Sequence, residues 1–350
     1  MDILIHSMPL WVELISIAFC TGILVFFLFI LSDAENPDPR LQNRLWLLFF
    51  VSVAAAMAGS VIDLLLRVGE MSGETVISSL PMVPSVLFKT HSGRVWLIRI
   101  ACLVLMLVAG KIRKIRDTRL VLIVLFCLGT IIAFTESASG HAADKGDFSV
   151  AEIMDWIHLQ GALVWAGGIF VLSFVILPRG SDLSSQAFHT LVRRTARFSG
   201  IAGIAVLSVV LTALYNALVY VGSVQALVRT AYGLTIATKT ALLFLLLLLA
   251  AYNRYVSVPS LGQLAGLDAA KSGVLSSLVK QFYSSFSLNK TGGDVLIFFK
   301  RAVRLEAFLL LGLLLCAALL RHEIPARHAM HGGHTGAPLH EHMRHIHDGQ

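Results

Sequence analysis

Histidine is concentrated at one end of this chain. Eight of the 13 histidines (His322, His328, His331, His334, His340, His342, His345 and His347) fall in the last 29 residues, interleaved with Met330 and Met343. Imidazole binds Cu(I), Cu(II), Zn and Ni, and thioether selects Cu(I), so His328-x-Met330-His331-x-x-His334 and His340-x-His342-Met343-x-His345-x-His347 form a donor set for a late transition metal. A Gly-rich segment of this kind buries no core, and any site in it assembles around the ion itself. The interspersed Met, Gly, Glu and Pro separate it from an appended histidine tag and make it a metal-collecting arm.

A second set of chemically capable residues lies in and beside apolar segments, where ionisable side chains are costly and usually functional. Glu13, Asp63, His91, Arg99, Glu136, His141, Asp155, His158 and Lys239 all fall near the same end of their segments. His158 follows Asp155 by one helical turn, a spacing that lets Asp155 orient the imidazole or bind beside it, with Met154 adjacent. The competing reading of His158 is an ordinary helix-end histidine hydrogen-bonded at the membrane interface. His141 lies 17 residues before His158, so only tertiary folding unites them. His91, Met71 and Met82 are further donors, although methionines in such chains are more often apolar filler. Arg99 and Lys239 are expected to pair with Glu13, Asp63 or Glu136 rather than touch a metal. Taken alone, these residue types and spacings specify a late transition metal and no particular element.

The elements that position these residues follow from hydropathy. With 56% hydrophobic and 14% charged residues and a mean hydropathy of +0.78, the chain is an all-α, polytopic membrane helix bundle. Eight apolar runs each suffice to cross roughly 30 Å of hydrocarbon: residues 11–31, 45–66, 94–110, 120–134, 154–177, 200–220, 233–252 and 302–320. Of the 28 Lys and Arg, 18 fall in alternate connections that this bias places inside, and eight fall in the others. Both termini are therefore expected outside, with the histidine tail. The net charge of +7 then reads as a topology signal and a fit to anionic lipid, with no nucleic-acid partner implied. The first segment lacks the basic start and small-residue cleavage site of a removable signal. Cys20, Cys102, Cys127 and Cys316 stand singly in four spans, as small hydrophobes rather than disulfide partners.

A weak internal repeat divides the chain. Thr90-x-x-Gly93 followed by Arg99 recurs as Thr230-x-x-Gly233 followed by Lys239, and the first span lays on the fifth with Trp11 over Trp156, Glu13 over His158 and Gly22 over Gly167. The expected organisation is a four-helix half over 1–138, a second over 139–320 with an inner loop at 254–301, and a flexible tail over 321–350. Two such halves stand parallel about an axis along the membrane normal, and their seam is a common substrate site. Within the inner loop, Leu275, Leu278, Val279, Phe282 and Phe286 recur at the spacing of a helix lying in the membrane surface.

Gly140-His141-Ala142, Asp155-x-x-His158 with Trp165-x-Gly167-Gly168, Arg197-Phe198-Ser199 and Thr230-x-Tyr232-Gly233 through Lys239 to Asn253-Arg254 resemble the copper resistance D (CopD) family. Thr90-x-x-Gly93-x-x-Trp96-x-x-Arg99 resembles the corresponding part of its first half. The resemblance runs over about residues 10–320. It implies a bacterial inner-membrane protein that handles a copper ion, Cu(I) or Cu(II), moves it from periplasm toward cytoplasm, and works with a small periplasmic copper-binding protein of the CopC type. On this reading the metal ligands are His158, His141, His91, Met154 and the tail residues. Asp155, Glu13, Asp63, Arg99 and Lys239 orient them or line the path. The chain departs from the family in lacking a fused periplasmic copper domain and in carrying the histidine tail. Transport or metal binding is expected rather than catalysis, since no Ser/His/Asp or paired-carboxylate arrangement stands out. Two rival classes stay open, a haem- or quinone-linked membrane redox protein and a copper-binding scaffold that transports nothing.

Overall fold

In the computed structural model, residues 2–31, 38–140, 146–178, 180, 183–220, 230–267, 277–278, 281 and 292–322 are described, and among them no strand occurs. His141, Met330, Met343 and the tail histidines from His328 onward lie outside the described residues, as does most of the surface helix expected around 275–286.

Among the described residues, eight helices are long and apolar enough to span a membrane. They belong to α1 (Asp2–Val25), α2 (Pro39–Ser72), α5 (His91–Lys111), α6 (Arg119–Ala138), α7 (Val150–Val171), α8 (Ser185–Tyr220), α9 (Ala231–Tyr252) and α11 (Gly292–His322). Two short helices, α3 (Val76–Ser79) and α4 (Val83–Lys89), cross between α2 and α5, and α10 (Val258–Leu264) prolongs α9. The helices outrun the apolar runs that mark them. A 36-residue helix such as α8 is about 54 Å long, so hydropathy detects only its lipid-embedded part. Two limits are corrected accordingly: helix continues through a π segment, Asn253–Ser257, to Leu264, and the last helix begins ten residues before Ala302.

The caps are local and legible. The Thr90 hydroxyl accepts from Gly93 N at 3.0 Å and the Thr230 hydroxyl from Gly233 N at 2.9 Å, so both copies of the Thr-x-x-Gly motif start a helix in the same way. Ser149 does the same for α7.

α1 is the central post, packed against α2, α6, α7 and α11. Its crossing with α7 is a backbone contact: a Cβ on Gly22 would overlap the Gly167 backbone, and one on Gly167 would overlap the Ala18 carbonyl. The two glycines paired by the sequence repeat thus face each other directly. Both helices then finish in a five-residue π segment, Phe26–Ile30 and Leu172–Ile176. Arg197 on α8 donates to the Ile30 carbonyl at 3.4 Å, and Arg44 on α2 donates to the Phe174 carbonyl at 3.0 Å. Around the crossing sit Trp46, Trp165, Phe26, Phe49 and Phe170, all with less than 2% of their surface accessible.

Because helix association in lipid depends on close packing at small residues, Gly167→Leu is expected to force α1 from α7. The expected cost is at least the 1–3 kcal/mol typical of an overpacked core, read as a lowered thermal midpoint in detergent.

Candidate functional site

The end of the bundle at which α1 begins and α11 finishes, called upper here, holds the polar residues singled out above. They divide into two groups with different chemistry.

The first group is a closed ionic cluster. Arg99 on α5 lies with Nη1 2.6 Å from Glu136 Oε1 and 3.3 Å from Glu13 Oε1, while its Nε donates to Thr135 Oγ1 and its Nη2 to the Thr135 carbonyl. Arg321, at the end of α11, lies 2.7 Å from Glu136 Oε2 and donates to the Ser139 carbonyl at 3.1 Å. Glu13, Arg99 and Glu136 are each at most 3% exposed. Two guanidinium ions meet two carboxylates, so the charges cancel where water is excluded. Asp63 pairs within its own helix with Arg67, at 2.8 Å. Glu13 and Arg99 are therefore committed to each other, binding α1, α5, α6 and α11 together. Arg321 escaped the sequence reading because it looked like the first residue of a tail.

The second group lines a cavity of about 300 Å³ between α7, α8, α9 and α11. Asp155, His158, Asn216, Lys239 and Arg321 reach it, Gly140 lies on its rim, and Trp165 closes one side. Asp155 accepts from Ser137 Oγ at 2.9 Å and lies within electrostatic reach of Lys239. Nδ1 of His158, the nitrogen that the i−3 spacing would give to Asp155, is instead held by α8: it lies 3.2 Å from the Val209 carbonyl and 3.0 Å from Thr212 Oγ1. A carbonyl only accepts, and the Thr212 hydroxyl already donates to Ser208 O at 2.6 Å. Nδ1 therefore carries a proton, and in the neutral imidazole Nε2 keeps a bare lone pair. That is the form in which histidine binds a metal, with its second nitrogen anchored to a backbone carbonyl.

The sequence holds an unused signal for this anchor. Ser208, Thr212 and Asn216 recur every four residues, one polar stripe on the largely apolar stretch 200–220 of α8. The Asn216 side-chain oxygen is buried without a hydrogen-bond partner.

The remaining expected ligands among the described residues do not line this cavity. His91 caps the upper end of α5, with Nε2 3.3 Å from the Ala138 carbonyl and Nδ1 3.8 Å from Asp147. Met154 is half-buried on α7 and does not line the cavity. Met71 and Met82 are exposed on the connection between α2 and α5. Among the described residues no three His, Cys, Asp or Glu side chains converge on one point as a metal cage. None of the four cysteines is in a disulfide, and Cys20, Cys102 and Cys316 are buried.

Among the described residues, eight candidate spans define a polytopic membrane protein, with a cavity into which Asp155, His158 and Lys239 reach. Family models make the class specific. "Copper resistance protein D-like, N-terminal domain" matches residues 10–150 and "Copper resistance protein D" matches residues 192–320, together well over half of the chain. The chain belongs to the copper resistance D family. Among curated relatives, it is 32% identical over 174 residues to the copper transport protein CutJ of Bacillus subtilis (strain 168), covering 48% of this chain and 31% of that protein. It is 28% identical over 247 residues to copper resistance protein D of Pseudomonas syringae pv. tomato, covering 68% and 77%. It is 27% identical over 229 residues to the inner membrane protein YebZ of Escherichia coli (strain K12), covering 64% and 72%. The chain thus spans about a third of the first of these relatives. No solved structure matches it.

Because both carboxylates of the ionic cluster lean on one guanidinium, Arg99→Met strands buried charge. The expected loss is about 3–5 kcal/mol, measured as a shift in the denaturation midpoint of the purified protein. Adding Glu13→Gln to that variant recovers part of the loss.

Proposed function

We propose that the protein takes up copper at the upper, periplasmic end of the bundle and passes it toward the cytoplasm through its second half. The observation that carries this reading is His158: a neutral imidazole with a bare Nε2 on a cavity wall, one turn from a carboxylate. The names of the relatives supply the metal, and the uneven distribution of Lys and Arg supplies the orientation. YebZ supports placement in the inner membrane.

The steps follow from placement. His328, Met330, His331, His334, His340, His342, His345 and His347 capture the ion and raise its concentration at the mouth, as tethered ligands do. A small periplasmic carrier of the CopC type delivers copper to the same end. His141, which follows the rim residue Gly140 in the chain, and His91 and Met154 near that end receive it, and His158 with Asp155 binds it within the bundle.

Lys239 shares the cavity, and its ammonium is a built-in cation that an arriving copper ion must displace from Asp155. Lys239 therefore keeps Asp155 from holding copper permanently. Arg99 stands in the first half, 1–138, where the proposed repeat puts Lys239 in the second, 139–320, and the cluster around it adjoins the open site through Glu136 and Arg321.

His158→Ala is expected to remove one copper equivalent per chain and abolish uptake into sealed vesicles. Removal of residues 322–350 is expected to raise the copper concentration needed for half-maximal uptake while leaving the maximum unchanged. Copper stoichiometry and uptake measured on both variants test this. Unchanged uptake by the His158 variant overturns the assignment, and binding without flux in the intact protein makes it a scaffold.

A further inference from the structure

A larger cavity, about 510 Å³, lies below the first, between α7, α8, α9 and α11. The copper reading makes no use of it. Its walls are mostly apolar, and its polar residues gather at one level, where Asn253 Nδ2 donates to Glu306 Oε1 at 3.0 Å and Thr195 stands on α8.

Three features specify an occupant. First, the chamber opens sideways. Among the described residues α8 and α9 scarcely touch, and Ile204 and Leu207 line the chamber while 74% and 58% exposed on the lipid-facing surface. Second, its polar end is incompletely satisfied. Asn253 Oδ1 and Thr195 Oγ1 are buried without partners, on residues 6% and 2% exposed. A buried amide oxygen and hydroxyl left in this state call for a hydrogen-bond donor. Third, acidic and basic residues are equal in number. Glu306 is the acid of the chamber and Arg254 its base, and the Arg254 guanidinium is held by the Ser199 carbonyl and hydroxyl. A free cation gains little from such a lining, and a polar head without charge suits it.

The vertical order fits the same occupant. Thr195 lies ten residues, or about 15 Å, above the lower start of α8, and Asn253 and Glu306 share one level through their hydrogen bond. Ile204, Leu207 and Leu247 lie further toward the bundle centre.

We propose that this chamber binds a single-chain amphiphile from the bilayer, with an uncharged, hydroxyl-bearing head donating to Asn253 and Thr195 and a hydrocarbon tail leaving between α8 and α9. Trp165 lines both this chamber and the upper cavity, so the occupant rests against the floor of the His158 site.

The test uses the full-length protein in detergent without copper, so its outcome is independent of the copper reading. Thermal midpoints are recorded against increasing decyl-hydroquinone, its di-O-methyl ether, dodecanol and dodecane. A ligand that binds only the folded state raises the midpoint with saturation. Expected is a saturable rise with the hydroxyl-bearing compounds and an apparent affinity at least tenfold weaker for the ether and the alkane. Asn253→Leu and Thr195→Val should each erase that tenfold difference. Thr195→Val keeps the side-chain volume and the Asn253–Glu306 pair, so it decides the matter if the Asn253 variant does not fold. Preference for the hydroquinone over dodecanol assigns a quinol-type head, and equal affinity assigns a simple lipid alcohol. Equal binding of all four compounds, or a Thr195 variant that discriminates as well as the parent chain, overturns the proposal.

Discussion

Charge neutralisation in a medium without water governs the upper half of this molecule. Two guanidinium ions and two carboxylates, from Arg99, Arg321, Glu13 and Glu136, close on one another and tie together four helices. Desolvating four charges is costly, and their mutual attraction offsets that cost only while all four are present. The cluster is therefore weak evidence for stability and strong evidence for a fixed arrangement. It orients α1, α5, α6 and α11, and α1 in turn carries α7 against itself through Gly22 and Gly167. The position of His158 depends on that chain of contacts.

The open site differs from the closed one by its imidazole. The cavity shares Glu136 and Arg321 with the cluster and adds Asp155, Lys239 and His158. A neutral histidine adds ligand strength without adding charge, which suits a group that must release what it binds. The anchoring of Nδ1 by Val209 and Thr212 keeps the lone pair of Nε2 available.

Much of the fold was legible in the sequence because the constraint is severe: an apolar run of about twenty residues has one stable form in a bilayer. All eight spans appear, as do both Thr-x-x-Gly caps. The ends of the helices were not legible, since the amphipathic turns beyond the hydrocarbon, as at 185–199 and 292–301, carry no hydropathy signal. The site was read less well. His158, Asp155 and Lys239 stood out because ionisable groups are rare in apolar helices. Thr212, Asn216, Thr195 and Asn253 did not, because small polar residues are common in such helices and only their distant partners give them meaning. Arg321 was misjudged for a related reason, as its partner Glu136 is 185 residues away. Most of the long connection at 268–291, and the tail beyond His322, lie outside the described residues.

The π segments ending α1 and α7 have a consequence for how such a protein is assembled. Each presents a carbonyl that an arginine from the opposite half grasps, Arg197 reaching back to Ile30 and Arg44 reaching forward to Phe174. The clasp is reciprocal, like two hands each holding the other's wrist. A chain severed near residue 145 would give two fragments that each bear one open hand and one empty wrist, complementary to each other and incomplete alone.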